Sequence, residues 1–469
     1  VNFVSYSFAA LFAGVFLCRL TLGRRKIERS YVGVLLASSL LFYGWHVPSY
    51  LSILAASALV DYTAGLALAR RPLDDVRARR WILVASLCTN LGLLGFFKYA
   101  NFGLSIAGDL ADVAGFEPAL PTLDLVLPMG ISFYTFQSMS YTIDVYRGKL
   151  TPLTSFPAFL LYISFFPQLV AGPIVRAAEF LPQLPRVRRL HLRVINEALF
   201  LIAGGYFLKM VCADNIATYV NAHWEAGYVP GADSGALLWL AAMFGGQIFC
   251  DFAGYSNIAR GLALLLGYRL PINFNAPYIA GSFKNFWERW HITLSRWLRD
   301  YLYVPLGGNR ISPRRTYVNL MTVMVLGGLW HGAAWTFIVW GTLHGSALAV
   351  ERALGFHRTV PVALRLPWWA VVQIVVLVAW IFFRSADVAG AWQFLRNIAA
   401  LEFGPPNDVM RAGSWFLLPP VLMHVWRLLE ERRLVPAPAG YGQAALTGAM
   451  VFLIATAYGS TNAFIYFQF

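Results

Sequence analysis

Charge is what this chain has least of. Of its 469 residues only 13% are Asp, Glu, Lys or Arg, against roughly 25% in a soluble domain. Cysteine is also scarce. Cys18, Cys88, Cys212 and Cys250 lie apart in apolar segments, without metal-ligand or disulfide-framework spacing, and read as packing residues. No long polar stretch divides the chain, and no 20–50-residue repeat is evident. His/Cys/acid metal spacing, a phosphate loop and a nucleotide fingerprint are all missing. No metal and no bound cofactor are therefore expected.

Apolar residues are what the chain does have. They make up 58% of it, the mean hydropathy is +0.58, and there are 16 tryptophans. Such a composition predicts an all-α, polytopic membrane protein of about 11–13 transmembrane or re-entrant helices. The formal net charge of +14 would suit nucleic acid on a soluble protein. Here the cations fall in short clusters between apolar spans, as cytoplasmic loops facing anionic lipid do. Nucleic acid is excluded as a partner and membrane lipid is expected. The first apolar segment is too long for a cleavable signal, and the Val1 start fits an alternative start codon or a trimmed terminus.

Apolar runs over 3–22, 31–45 and 49–69 are each about long enough to span. RRKIER (24–29) and RRPLDDVRARR (70–80) flank the second and third. Two basic loops separated by two spans share a side, which the positive-inside rule makes cytoplasmic. The N-terminus is thus expected on the outer side. Residues 81–106 return outward to an acidic loop. LPMGISFYTFQSMSYTIDVYRG (127–148) follows, too polar to face lipid. FFPQLVAGPI (165–174) has two internal prolines and predicts a re-entrant or broken helix pair. Later spans are expected at 194–212, 235–266, 321–341, 342–354, 368–383, 415–429 and 444–464. We read one membrane domain over 1–469, with N-terminal helices (1–146), a core (147–354) and C-terminal helices (355–469).

Two histidines stand out within 283–335. Trp287, Trp290, His291, Leu294, Trp297, Leu298 and Tyr301 recur at helical spacing, which predicts one amphipathic interfacial helix over 283–304. His331 sits in GGLWHGAAW (327–335), where glycines let a helix or a ligand approach closely. Each histidine alone reads as readily as a packed residue as a proton acceptor. Several separate elements supply groups that lipid rejects: the two histidines, the 127–148 span, the prolines, and Asp251, Tyr255, Ser256, Asn257 and Arg260. Together they call for a shared interior.

FFKYANF (96–102), FPQLVAGPI (166–174), FAGYSNIARGLALLLGYRLPINFNAPY (252–278), FWERWHITLSRWLRDYLYVPLGGNR (286–310) and GLWHGAAWTFIVWG (328–341), with 127–148, resemble the membrane-bound O-acyltransferases. The similarity is greatest to the alginate O-acetylase branch, itself similar to the D-alanyl-transfer protein of teichoic acid synthesis. It runs over nearly the whole chain and is weakest at 355–440. It implies a funnel of helices with a central tunnel, in the bacterial inner membrane. It implies that His331 is the catalytic histidine and His291 the second histidine. Acetyl groups would pass from a cytoplasmic donor, acetyl-CoA, to an exported polysaccharide such as alginate, with a periplasmic esterase-like partner.

On that resemblance His331 is the expected base, and His291 positions or polarises the thioester. Lys284, Arg289, Arg296, Arg299, Arg310 and Arg314 are candidates for the donor phosphates, or else interfacial anchors. Asp251, Tyr255, Asn257 and His344 are candidate tunnel-lining residues, or else helix-packing groups. Tyr466, in the C-terminal FIYFQF, is a candidate covalent acyl relay or part of an aromatic belt. The other function classes open to this sequence are a transporter for an organic anion or lipid-linked sugar, acyl transfer to another envelope polymer, and an anchoring scaffold.

Overall fold

The computed structural model describes residues 3–22, 28–45, 47–116, 120–170, 172–185, 189–404 and 408–460. Among them every regular element is helical. In chain order these are α1 (Tyr6–Leu22), α2 (Glu28–Gly44), α3 (Tyr50–Ala69), α4 (Val76–Val113), α5 (Ile131–Tyr146), α6 (Phe156–Ser164), α7 (Phe166–Leu169), α8 (Ala177–Phe180), α9 (Leu192–Tyr206) and α10 (Asp214–His223). Then come α11 (Ser234–Leu266), α12 (Phe283–Trp287), α13 (Ile292–Leu298), α14 (Pro313–His331), α15 (Trp335–Ala353), α16 (Arg365–Arg384), α17 (Val388–Ala399), α18 (Asp408–Glu431) and α19 (Gly440–Thr456). Among the described residues five helical stretches are long and apolar enough to cross a membrane: Tyr50–Ala69, Val76–Val113, Leu192–Tyr228, Ser234–Leu266 and Val362–Arg384. The chain is a multi-pass membrane protein.

It forms two compact units, one of residues 1–198 and 259–271, the other of 199–258 and 272–469. The first is built around α5. Residues 131–145 of this helix are all buried, so the polar span faces protein, as its composition requires. Its partner is Asp61 of α3, which is fully buried. Ser86, Ser138, Thr142 (2.6 Å) and Asn90 (2.8 Å) all donate to the Asp61 carboxylate. Neutral donors from α4 and α5 thus satisfy a charge that lipid would reject. Arg79 caps two helices at once. It donates to the carbonyls of Leu68 (2.7 Å) and Tyr146 (2.8 Å), where helix C-termini leave carbonyls unsatisfied. The proline-containing segment is a broken helix pair, one of the two forms expected, since α6 stops at Ser164 and α7 starts at Phe166.

In the second unit α9 passes into a π-helical turn, Phe207–Ala213. This turn carries Lys209, buried between Asp214 (2.8 Å) and Asp251 of α11 (2.9 Å). Helices α14, α15 and α16 pack in sequence against one another.

Two expectations are corrected. The helix over 283–304 is not continuous: α12 and α13 are separated at His291, whose φ of 40° is left-handed. Spans at 321–341 and 342–354 do not form either. The break falls at residues 332–334, directly after His331, because Gly332 and Ala334 are extended (φ −161° and −150°). Phe337 explains the break, since its ring occupies the space a Cβ at Gly332 would need.

Asp61→Ala leaves four buried donors without an acceptor. It should destabilise the detergent-purified protein by about 2–4 kcal/mol, more than Asp61→Asn, which keeps one acceptor oxygen. Thermal unfolding checks the order of the three proteins; equal midpoints would show that the cluster contributes nothing.

Candidate active site

Asn273 positions His291. The loop after α11 brings its backbone carbonyl to the Ile292 amide (2.9 Å). Its Oδ1 accepts from the Thr293 amide (3.2 Å), Thr293 Oγ1 (2.8 Å) and His291 Nδ1 (3.1 Å). Its Nδ2 donates to Ser256 of α11 (3.3 Å). A left-handed residue that is not glycine is costly and needs surrounding support. Asn273 supplies it from three sides. Because Asn273 Oδ1 can only accept, the proton of His291 lies on Nδ1 and the ring lone pair lies on Nε2. The imidazole is fully buried, edge-on to Phe252 at 4.7 Å.

His331 is the last residue of α14 and is also buried. Its ring meets Trp330 at 5.1 Å, Trp340 of α15 at 4.9 Å and Phe383 of α16 at 5.3 Å. Trp330 also meets His291 at 5.9 Å. One indole therefore touches both histidines, and the structure brings the two together around it. The glycines near His331 serve close packing. A Cβ at Gly328 would meet the Phe337 carbonyl, and one at Gly341 would meet that of Met324. Backbones of α14 and α15 thus touch at two levels, which fixes His331 against α15.

His344 lies one helical layer further along α15, fully buried among Phe286, Trp287 (5.0 Å) and Trp340 (4.7 Å). Neither of its ring nitrogens, nor Trp287 Nε1 or Trp340 Nε1, has a hydrogen-bond partner among the described residues. Four buried polar atoms in one cluster beside His331 suit water or a polar substrate group better than dry packing.

The other candidates are spread more widely. Asp251 is committed to Lys209, Tyr255 is buried, and Asn257 is half-buried on α11. Arg289 is engaged bidentately with Glu431 (2.9 and 2.7 Å) and also donates to the Asn275 carbonyl (3.1 Å) and Asn285 (3.0 Å). These bonds hold the Glu431 carboxyl below the usual range. Arg299 pairs with its neighbour Asp300, and Arg296, Arg310 and Arg314 are exposed. Lys284 lies i,i+4 from Glu288 (3.8 Å). Its amide and that of Phe283 donate to the buried carboxylate of Glu351, which caps α12. Tyr466 lies outside the described residues.

The sequence reading missed Asn273, Trp330, Trp340 and Lys209. INFN (272–275) between two apolar runs is the signal for the first: an asparagine at membrane depth needs a reason.

Two helices thus break at buried histidines that share Trp330 as a neighbour. The sequence model of the membrane-bound O-acyltransferase family matches residues 149–388. A probable alginate O-acetylase of Azotobacter vinelandii is 40% identical over 373 residues, covering 79% of this chain and 72% of that protein. A peptidoglycan O-acetyltransferase of Helicobacter pylori is 38% identical over 415 residues, 82% of this chain and 76% of that protein. A teichoic acid D-alanyltransferase of Streptococcus thermophilus is 32% identical over 251 residues, 50% of this chain and 60% of that protein. The chain belongs to the membrane-bound O-acyltransferase family, and it is an O-acyltransferase.

Replacing Asn273 by Leu should lower acyl transfer about 100-fold, the cost of misplacing a reacting group by about 1 Å. Asn273→Asp, which keeps the acceptor, should recover part of it. Equal activity of all three proteins would show that His291 needs no such support. The Glu431 carboxyl titrates lower when folded, so its contribution is present above the ordinary carboxylate pKa of about 4.3 and is lost as pH falls through the folded value. The stability gap between the protein and Glu431→Gln should therefore hold from neutral pH to about 4.3 and close below it, as thermal unfolding across that range would show.

Proposed function

We propose that this protein moves acetyl groups from a cytoplasmic donor, acetyl-CoA, across the inner membrane for O-acetylation of an exported polysaccharide such as alginate. Support comes from the relatives, whose names give alginate or peptidoglycan O-acetylation. The observation that carries the chemistry is Trp330, in contact with both His331 and His291.

His331 is the base. It takes the proton of the attacking hydroxyl as the oxygen–carbon bond forms at the thioester. The carbon–sulfur bond then breaks, and the same proton goes to the departing thiolate, so the donor leaves as a free thiol. His291 polarises or positions the carbonyl. The buried indole and imidazole nitrogens around His344 are suited to the developing oxyanion. Of the exposed cations, Arg296, Arg299 and Arg310 follow one another towards the turn before α14 and are the ones assigned to the donor phosphates. Arg289 is left to Glu431. Tyr466 is assigned as an acyl relay to a periplasmic esterase-like partner, with the N-terminus on the periplasmic side.

His331→Ala should abolish polymer acetylation, a loss of 100-fold or more, with normal membrane insertion. Acetyl content of the purified polymer is the readout, and retained acetylation would contradict the assignment. Tyr466→Phe should abolish acetylation if the relay operates; full acetylation in that variant excludes it.

A further inference from the structure

One cavity of the second unit lies away from the two histidines. This cavity of about 1360 Å³ lies among α11, α16, α18 and the segments before α12 and α16, and neither His331 nor His291 is in its wall. A small-molecule site holds roughly 300–1,000 Å³, so this space fits something larger. Its wall is mainly apolar: Trp239, Phe249, Val376, Leu377, Leu417 and Val421.

The charged residues of its wall are Lys284, Arg358, Arg365 and Arg432, with one carboxylate, Glu288. Lys284 and Glu288 face each other at 3.8 Å. Among the described residues no carboxylate pairs with Arg358, Arg365 or Arg432, and all three are exposed. The wall then runs along α18 from Ser414 to Arg432, about 27 Å at the helical rise. That exceeds one bilayer leaflet, about half of the ~30 Å hydrocarbon core. Further along are two polar atoms without a partner among the described residues, His424 Nε2 and Gln373 Nε2. His424 is 6% exposed and belongs to the wall. On their own helices each lies eight residues from a wall arginine, Arg432 and Arg365 respectively, which is about 12 Å.

We propose that this cavity is a binding site for one anionic phospholipid. The phosphate sits among Arg358, Arg365 and Arg432, an ester carbonyl accepts from Gln373 Nε2, and the acyl chains fill the apolar length. Charge decides for an anionic headgroup, since three unopposed arginines attract phosphate and would repel a cationic one. The wall decides against coenzyme A, whose adenosine and pantetheine would find few polar partners along it.

The test is native mass spectrometry of the full chain purified in mild detergent, then exchanged into vesicles of phosphatidylglycerol or phosphatidylcholine. The protein should retain phosphatidylglycerol near one per chain and should not retain phosphatidylcholine. The triple variant Arg358→Gln, Arg365→Gln, Arg432→Gln should hold it about 100-fold more weakly, at roughly fivefold for each cation lost. Val421→Trp fills the wall without touching the charges and should also lose the lipid, which separates the site from surface attraction. Equal retention by either variant would overturn the proposal. So would equal retention of the two lipids, or release of the lipid by millimolar acetyl-CoA, which would give the cavity to the donor.

Discussion

Asn273 gathers four hydrogen bonds around a single left-handed histidine, through one backbone carbonyl and one side-chain oxygen. Breaking a helix in an apolar interior exposes amides that neither lipid nor packed aromatics can satisfy. Only where a fixed acceptor waits can the chain turn there. The turn at His291 is possible because Asn273 is itself held by Ser256 on α11. This dependence runs outward: α11 holds Asn273, Asn273 holds the turn, and the turn sets the ring of His291 against Phe252 and Trp330.

The second break follows a different rule. At His331 the observed device is close packing. Small residues let α14 and α15 touch, and Phe337 packs where a Gly332 side chain would be. His331 is placed by steric exclusion, and His291 by hydrogen bonds. Two unlike devices thus bring imidazoles to one indole, and each keeps its ring out of lipid. Elsewhere buried charge is matched locally, as at Asp61 with four neutral donors and at Lys209 with two carboxylates.

Much of this was legible in the residues. Pro167 and its neighbours predict the α6–α7 break, and the Ser, Thr and Gln content of 127–148 predicts a helix buried on all sides. The ordered motifs name the family. The breaks at the histidines were not legible, for a physical reason. Helical spacing of Trp287, Trp290, Leu294 and Trp297 persists through two short helices that keep nearly one phase, so periodicity reports one. A left-handed turn is normally signalled by glycine, and here a histidine takes it. Lys209 sits in an apolar run whose carboxylate partners are 5 and 42 positions away, a pairing that spacing alone does not disclose.

In the proposed reaction the two histidines act together. The direct measurement is polymer acetyl content in cells carrying His331→Ala, His291→Ala or both, at equal membrane levels. Residues that act as a unit are strongly non-additive, so the double variant should be no worse than His331→Ala alone. Losses that multiply, or acetylation surviving in both single variants, would contradict it.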